Sequence, residues 1–180
     1  MNLIEHFVDG KIFKGTSKRT GKVFNPATGE KSSEVKFATT DDVNKAVSVA
    51  KKAFINWSQK TPLFRARVLF KFKELIEKNS DELIKIIVSE HGKIYEDAKG
   101  SLIRGLEVVE FACGIPQLLK GEFTENIGTN VDSWSTRQPL GVCAGITPFN
   151  FPAMVPMWMF PIAIACGNTF ILKPSEKDPS

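Results

Sequence analysis

The chain has 180 residues, of which 42% are hydrophobic and 24% charged, and its formal net charge is +4. These values are typical of a globular protein with one domain or parts of two, and they exclude a disordered chain. The lysines are interleaved with acidic residues along helical patterns, as at Lys71, Lys73 and Glu74. We therefore expect solvated helix surfaces and no nucleic-acid partner.

The three cysteines, Cys113, Cys143 and Cys166, are far apart and lie in apolar surroundings. No C-x-x-C or Cys/His cluster accompanies them, so we expect neither a disulfide framework nor a metal site. The first residues include an early glutamate and no apolar core segment, which argues against a secretory signal. Reduced thiols in a cytoplasmic protein are the simplest interpretation.

Residues 3–37 consist of short alternating runs with turn signals at Asp9-Gly10, Thr20-Gly21 and 25–29, a pattern that predicts β-hairpins or short edge strands. From residue 40 the apolar period becomes helical, and four helices are predicted. Their signals are Thr40 as the cap of the first helix, Thr61 and Pro62 at the start of the second, Ser80 and Gly92 at the two ends of the third, and a fourth helix from about Tyr95 to Leu119.

The last third of the chain indicates a parallel sheet. Alternation over 131–138 predicts an exposed strand, and apolar runs at 142–146 and 169–173 predict two buried strands. No charged residue lies between Arg137 and Lys173, but the apolar run is too short and too rich in proline for a membrane span. A buried helix between two strands fits better, so we expect an α/β fold and no membrane partner.

A single side-chain amide follows the first of these buried strands. Asn150 lies in a loop stiffened by Pro148 and Pro152. Ligands bind beyond the carboxyl ends of the strands in open α/β sheets, and an amide placed there can stabilise an oxyanion that forms during acyl chemistry. The amide could equally satisfy backbone groups of a proline-rich turn. The spacing of residues alone leaves both interpretations open.

Three charged residues are further candidates. Lys173 emerges at the end of the second buried strand, where it and Glu176 could bind a ribose or a phosphate, although an ordinary solvated strand end explains them too. Neither common phosphate-binding glycine motif is present. Arg104 lies beside Gly100 and Gly105, which could leave room for a substrate carboxylate. A surface ion pair with Glu107 is the alternative.

Several long motifs together resemble one family over essentially the whole chain. They are N-P-A-T-G-E at 25–30, E-H-G-K at 90–93, R-G-L-E-V-V-E-F-A-C-G-I-P at 104–116, Q-P-L-G-V-C-A-G-I-T-P-F-N-F-P at 138–152 and M-V-P-M-W-M-F-P at 154–161. The sequence resembles the N-terminal part of the aldehyde dehydrogenases. Most members have tryptophan at the position of Phe149. In having phenylalanine there, the sequence resembles the CoA-acylating methylmalonate-semialdehyde (malonate-semialdehyde) dehydrogenases.

The resemblance implies roles for particular residues. Asn150 matches the oxyanion-stabilising asparagine of the family, and Arg104 matches an arginine that holds the substrate carboxylate. The positions that match NAD contacts are Thr147, Phe149, Lys173, Glu176 and Lys177. Lys177 departs from the arginine common there, which keeps a cation but loses the planar fork. The resemblance favours the functional interpretation of Asn150, Lys173 and Arg104.

The implied reaction is attack of a cysteine thiolate on a semialdehyde, hydride transfer to NAD, and release of the acyl group to CoA with loss of CO2. None of the three cysteines matches the family's nucleophile, so the chain is expected to be a fragment that is inactive alone. The implied divisions are a hairpin and helical part over 1–130, a strand of the oligomerisation element over 131–140 and the start of the NAD-binding sheet over 141–180. The whole enzyme would be a homodimer or homotetramer.

Two other functions are compatible with these residues. A hydrolytic aldehyde dehydrogenase of another specificity would share the Asn150 loop but would release its product to water. A non-catalytic module that binds a nucleotide or a partner would share the fold but not the chemistry. Formation of a CoA-dependent product separates the first alternative from the acylating enzyme.

Overall fold

The computed structural model describes residues 2–180, and its first part is a set of short strands. The strands are β1 (Asn2–Ile4), β2 (His6–Val8), β3 (Lys11–Phe13), β4 (Thr20–Phe24) and β5 (Lys31–Lys36). β2 and β3 form a hairpin whose turn residues, Asp9 and Gly10, have φ values of 58° and 72°. Two positive φ values match the twist of the strands, as the Asp-Gly pair predicts.

A second antiparallel pair, β4 and β5, continues into a three-stranded sheet in the order β1-β5-β4. The prediction of hairpins is confirmed, but the prediction of a turn at Thr20-Gly21 is wrong because both residues lie inside β4. A Cβ atom on Gly21 would lie 2.7 Å from Cζ of Phe37. This glycine therefore serves close packing against an aromatic ring rather than a turn.

Residues 2–180 include six helices. Their bounds are α1 (Thr40–Ser58), α2 (Pro62–Lys78), α3 (Ser80–His91), α4 (Tyr95–Cys113), α5 (Ile115–Leu118) and α6 (Met154–Ala165). Thr61 caps α2 as predicted, and Gly92 ends α3 in the left-handed conformation with φ of 81°. The predicted fourth helix is interrupted at Gly114, so its last turn is the separate helix α5.

Two predicted caps are displaced by one residue. Thr39, not Thr40, is the N-cap of α1, and it forms a capping box with Asp42. Asn79 precedes α3, and Ser80 is the first helical residue. Asp42 is buried and also accepts hydrogen bonds from the Thr16 N–H at 3.0 and 3.1 Å, which ties the N-terminal strands to α1. The Thr39 N–H is the main cause of the lowered pKa of Asp42.

An exposed two-stranded ribbon connects the helices to the parallel sheet. It consists of β6 (Phe123–Gly128) and β7 (Val131–Trp134), which are antiparallel. The prediction of a strand from 131 to 138 is therefore right at its start, but the strand ends at Trp134, and β6 was not predicted. Every residue of both strands is exposed, including the large side chains of Phe123, Ile127 and Trp134. The segment Phe123–Gly128 lacks the regular alternation of apolar and polar residues that predicts the strand over 131–138.

The predicted strand–helix–strand unit is confirmed. β8 (Val142–Ile146) and β9 (Thr169–Lys173) are parallel neighbours, and α6 connects them. α6 crosses α4 at Gly105, where an added Cβ would lie 2.8 Å from Sδ of Met157 and 3.3 Å from Cα of Met154. The buried core at this crossing comprises Ile84, Ile87, Ala98, Leu102, Val109 and Met157. No helix among residues 2–180 has the length and apolarity required to cross a membrane.

Two side chains from distant helices hold the end of α6. Trp57 Nε1 donates to the carbonyl of Ile164 at 3.0 Å, and Arg65 Nε donates to that of Ala165 at 2.9 Å. The last carbonyls of a helix have no intrahelical donor, so a buried helix end needs such partners. Arg65 is itself buried, and desolvation lowers its pKa. This clamp fixes the turn between α6 and β9.

Candidate functional site

The loop that carries Asn150 begins directly at the carboxyl end of β8. The Thr147 N–H donates to the carbonyl of Lys173 at 3.1 Å, which extends the parallel ladder by one bond. Beyond it the chain turns through Phe149 and Asn150, which are both exposed, before α6 begins at Met154. The site thus starts where two parallel strands end, at the position that ligands occupy in open α/β sheets.

The amide of Asn150 is not used by its own turn. Among residues 2–180 its side chain makes no hydrogen bond, whereas Asn168 uses its amide on the backbone of Leu140, Gly141 and Ala163. The structure therefore contradicts the alternative in which Asn150 satisfies the turn. Its Nδ2–H₂ group points to no protein acceptor in the described chain and can donate to a ligand oxygen.

Lysines cover the aromatic rings on either side of Asn150. Lys177 Nζ lies 4.2 Å from the centroid of the Phe149 ring, and Lys93 Nζ lies 3.8 Å from that of Phe151. Both distances are within the range of a cation–π interaction. Lys93 Nζ also donates to the backbone carbonyl of Asn150 at 2.6 Å. The backbone at Asn150 is therefore restrained by Lys177 at the preceding residue and by Lys93 at the following one.

The second loop of the site follows β9. Lys173 Nζ lies 3.2 Å from Oε2 of Glu176, and both side chains are exposed. The backbone N–H of Glu176 and, next, Lys173 lower the pKa of this glutamate, so it is ionised at neutral pH. The sheet register places Lys173 opposite Ile146, one residue before Thr147. Thr147, Phe149, Lys173, Glu176 and Lys177 thus belong to two adjacent loops at one edge of the sheet.

One buried polar atom at this edge has no partner. The Oγ1 atom of Thr147 is inaccessible and makes no hydrogen bond within the described residues. A buried hydroxyl group without a partner is costly, and such groups in native proteins commonly await a ligand or a water. The exposed cation and the ionised acid on the next loop provide a donor and acceptors suited to a nucleotide.

Arg104 lies on α4 and belongs to neither of these loops. Its side chain is exposed, and it forms no ion pair within residues 2–180, including with Glu107. The prediction that both flanking glycines leave space around it is wrong in one respect. Gly100 faces open space, but Gly105 is filled by Met154 and Met157 of α6. The guanidinium is accessible to a carboxylate, and the glycine beside it serves helix packing.

The three thiols do not show the features of an activated nucleophile. Burial raises the pKa of Cys113 and of Cys166, and only smaller contributions from Lys73 and Arg65 oppose it. Cys143 lies within β8 and is partly buried. A lowered pKa favours nucleophilic attack by a cysteine, so the raised pKa of Cys113 and of Cys166 makes either thiol a weak candidate for the nucleophile. Within residues 2–180, no group of three or more His, Cys, Asp or Glu side chains is placed to hold a metal ion.

Sequence reasoning missed one acid of this region, Asp178. It is 4% exposed, and burial raises its pKa from 3.8 to about 6, with Ser175 opposing this rise and Glu90 adding to it. Its Oδ1 atom makes no hydrogen bond in the described part of the chain. Nothing in the sequence around Asp178 indicates burial, since it lies between Lys177 and Pro179 near other polar residues.

We expect replacement of Asp178 by Asn to remove a pH-dependent loss of stability. The folded state keeps the Asp178 proton up to about pH 6, whereas the unfolded chain releases it near 3.8, so the parent loses stability as pH rises through this window. Asparagine cannot ionise. The free energy of unfolding of the variant minus that of the parent should therefore increase by up to about 3 kcal/mol when the pH is raised from about 4 to about 7.5.

Urea denaturation at both pH values measures this difference. Glu107→Gln removes an exposed carboxyl group from α4 and is the control. A difference between Asp178→Asn and the parent that stays constant with pH would contradict the assignment of a raised pKa to Asp178.

A parallel sheet whose strand-end loops present an amide, a hydroxyl, a cation and an acid is the arrangement of nucleotide-using α/β enzymes. The chain belongs to the aldehyde dehydrogenase family, whose family model, described as "Aldehyde dehydrogenase family", matches residues 12–180. The resemblance of the motifs at 25–30, 90–93, 104–116 and 138–161 to this family is thereby confirmed.

Individual relatives are similar over nearly the whole chain. The malonate-semialdehyde dehydrogenase of Pseudomonas aeruginosa is 53% identical over 180 residues, which are 100% of this chain and 36% of that protein. The mitochondrial acylating methylmalonate-semialdehyde dehydrogenase of Arabidopsis thaliana is 51% identical over 98% of this chain and 29% of its own length. The chain therefore spans about a third of the length of these relatives.

A solved structure has the same fold in this part. It comes from Sinorhizobium meliloti, is provisionally named a methylmalonate-semialdehyde dehydrogenase, and is complexed with NAD. It is 55% identical, has a TM-score of 0.97, and is matched over 99% of this chain and 36% of that chain. The incomplete α/β architecture predicted from the sequence is thus that of the first third of an aldehyde dehydrogenase.

Proposed function

We propose that this chain forms the N-terminal third of an NAD-dependent, CoA-acylating dehydrogenase. The whole enzyme would convert methylmalonate or malonate semialdehyde, with CoA, to propionyl-CoA or acetyl-CoA and CO2. The names and identities of the relatives support this substrate class, and the word "acylating" in one of those names supports CoA as the acyl acceptor. The observation that carries the chemistry is the unpartnered amide of Asn150 on a held loop at the sheet edge.

Asn150 would act on the aldehyde oxygen. Attack of a thiolate on the semialdehyde carbon converts the carbonyl oxygen into an oxyanion, and the Asn150 Nδ2–H₂ group would donate a hydrogen bond to it. Such donors accelerate a reaction when they are in place before charge develops. Two features support this role, namely the free amide and the fixed carbonyl of the same residue.

The two strand-end loops would hold NAD, which when bound supplies the hydride acceptor. Lys173 and Glu176 have the charge and the exposure to bind ribose hydroxyl groups, and Thr147 Oγ1 needs a partner. Phe149 and Lys177 would contact NAD along the same edge, with Lys177 contributing a cation already placed over the Phe149 ring. The NAD complex of the S. meliloti protein supports this cofactor.

Arg104 would bind the carboxylate of the semialdehyde. A guanidinium can form two parallel hydrogen bonds with a carboxylate, and this one has no protein partner in the described chain to displace. The open face at Gly100 gives the carboxylate access. Through this contact Arg104 would favour semialdehydes, which carry a carboxylate, over simple aldehydes, which do not.

The chain also has a proposed division into parts and a proposed subunit contact. We divide the chain into a hairpin and helical part over 1–130, an oligomerisation strand over 131–140 and the beginning of the NAD-binding sheet over 141–180. The ribbon of β6 and β7 exposes Phe123, Ile127, Val131 and Trp134, which suits burial against another subunit in a homodimer or homotetramer. Free cysteines suit a cytoplasmic location.

A comparison of products with and without CoA tests the function. The full-length dehydrogenase that carries these residues should produce NADH and acyl-CoA from malonate or methylmalonate semialdehyde, whereas the 180-residue chain alone should produce no NADH. The second expectation rests on the absence of a cysteine that matches the nucleophile of the family, and the raised pKa of Cys113 and of Cys166 supports it. Free acid formed at an equal rate without CoA would indicate a hydrolytic enzyme, and absence of turnover with every aldehyde would indicate a binding module.

A further inference from the structure

A tight turn formed by the last two residues of α3, Glu90 and His91, together with Gly92 and Lys93 touches both loops of the proposed site. This Glu90–Lys93 turn contains Gly92, whose φ is 81° and whose N–H donates to the carbonyl of Val88 at 2.9 Å. A Cβ atom on Gly92 would lie 2.7 Å from Cγ of Pro26. Both the backbone conformation and the packing therefore require glycine, so the position from which Lys93 projects is fixed.

Lys93 makes two contacts with the Asn150 loop. Its ammonium group donates to the carbonyl oxygen of Asn150 at 2.6 Å and lies 3.8 Å from the centroid of the Phe151 ring. These contacts lie on consecutive residues, so they restrain both the position and the tilt of the peptide between them. A hydrogen bond from a charged donor is about twice as strong as a neutral one. Lys93 is 57 residues from Asn150 in the sequence.

The same turn holds the loop after β9. Glu90 accepts hydrogen bonds from the Ser180 hydroxyl group at 2.7 Å and from the Ser180 N–H at 3.2 Å. Burial lowers the pKa of Lys93, and the charges of Asp97 and, to a smaller extent, of buried Asp178 oppose this lowering. The Glu90–Lys93 turn thus contacts the amide loop through Lys93 and the proposed cofactor loop through Glu90.

We propose that Lys93 is a positioning residue for Asn150, and this proposal rests on the proposed oxyanion role of that amide. The Asn150 side chain has no hydrogen bond of its own in the described chain, so the position of its backbone sets the region that the amide can reach. An oxyanion donor must be in place within a few tenths of an ångström to be effective. Lys93 supplies the restraint by holding the Asn150 carbonyl and the Phe151 ring.

Amide hydrogen exchange in this chain tests the restraint without any turnover. The Val155 N–H donates to the carbonyl of Phe151 at 3.2 Å and reports on the loop, and the Asn168 N–H, bonded to the carbonyl of Ala163 at 3.0 Å, reports on the other end of α6. Lys93→Met should raise exchange at Val155 roughly tenfold or more and leave Asn168 within about twofold, because only the loop loses a charge-assisted bond.

Two further variants sharpen this measurement. Lys93→Arg keeps a donor and a cation and should restore most of the protection at Val155. Lys45→Met is the matched control, since Lys45 also covers an aromatic ring, that of Phe13 at 4.4 Å, in the N-terminal part of the chain. It should leave Val155 unchanged. An equal rise at Val155 and Asn168, or no rise at Val155, would overturn the proposal.

Kinetics of the full-length dehydrogenase separate this proposal from the proposed function. Lys93→Met should lower kcat roughly tenfold and leave the KM for NAD within about twofold, with Lys93→Arg recovering most of kcat. If Asn150→Ala impairs turnover and Lys93→Met does not, the positioning role is wrong. If Asn150→Ala has no effect on turnover, the proposed oxyanion role is wrong, and the positioning role that rests on it is overturned with it.

Discussion

Replacement of Asn150 by Ala is expected to lower kcat for semialdehyde oxidation by roughly a hundredfold to a thousandfold. The amide would act only as negative charge develops on the aldehyde oxygen, so its loss raises the barrier without weakening binding of the ground state. The KM for NAD should stay within about twofold of the parent value. Steady-state kinetics of the full-length dehydrogenase measure both constants.

The same substitution should leave the fold almost unchanged. Asn150 is exposed, and within the described residues its side chain makes no hydrogen bond, so the free energy of unfolding should change by less than about 0.5 kcal/mol. Asn44→Ala removes another exposed amide, from the first turns of α1, and is the matched control. A kcat for Asn150→Ala within about threefold of the Asn44→Ala value would rule out the oxyanion role.

Replacement of Leu102 by Ala is expected to lower the free energy of unfolding by about 2–5 kcal/mol. Leu102 lies on α4, is 1% exposed, and belongs to the core that α4 shares with α3 and α6. Removal of the leucine side chain leaves a cavity in a close-packed region. Helix α6 cannot move closer to fill it, because α4 and α6 are already in close contact at Gly105. Denaturant unfolding followed by circular dichroism measures the loss.

A leucine on the surface provides the control. Leu63, in the first turn of α2, is 56% exposed, so Leu63→Ala should cost less than about 1 kcal/mol. Similar losses at both positions would show that the α4–α6 crossing is not the core of this chain. A large loss of unfolding free energy for Leu102→Ala alone would support the view that helix packing, rather than the exposed strands, stabilises the chain.

The order of the helices and the two parallel strands could be predicted because burial leaves a period in the sequence. The apolar positions of α1 to α4 recur at helical spacing, and the uncharged stretch that ends at Lys173 indicates elements buried on several sides. The cap of α1 could not be placed in this way, since Thr39 and Thr40 are neighbours of the same type and only the contact with Asp42 distinguishes them. The exposed strand β6 buries nothing and left no signal.

The candidate site shows a similar division. The Phe149-Asn150-Phe151 segment could be identified from its motif, yet its spacing alone did not distinguish a ligand site from a satisfied turn. The free amide argues against the satisfied turn, and the ligand site stays a proposal. Lys93, Arg65 and Asp178 were not predicted as parts of the structure near the site, because their partners lie far away in the sequence, such as Ala165 for Arg65 at a separation of 100 residues.

The sequence by itself therefore determined the family and the α/β class and indicated candidate site residues, because periodicity and long motifs are properties of neighbouring residues. Only the tertiary structure decided that the Asn150 amide is free, that Gly105 serves helix packing rather than Arg104, and that the Glu90–Lys93 turn reaches both strand-end loops. The physical reason is that hydrogen bonding, burial and charge at the site depend on which distant segments meet. The crossing of α4 and α6 and the parallel pairing of β8 and β9 bring these distant segments into contact.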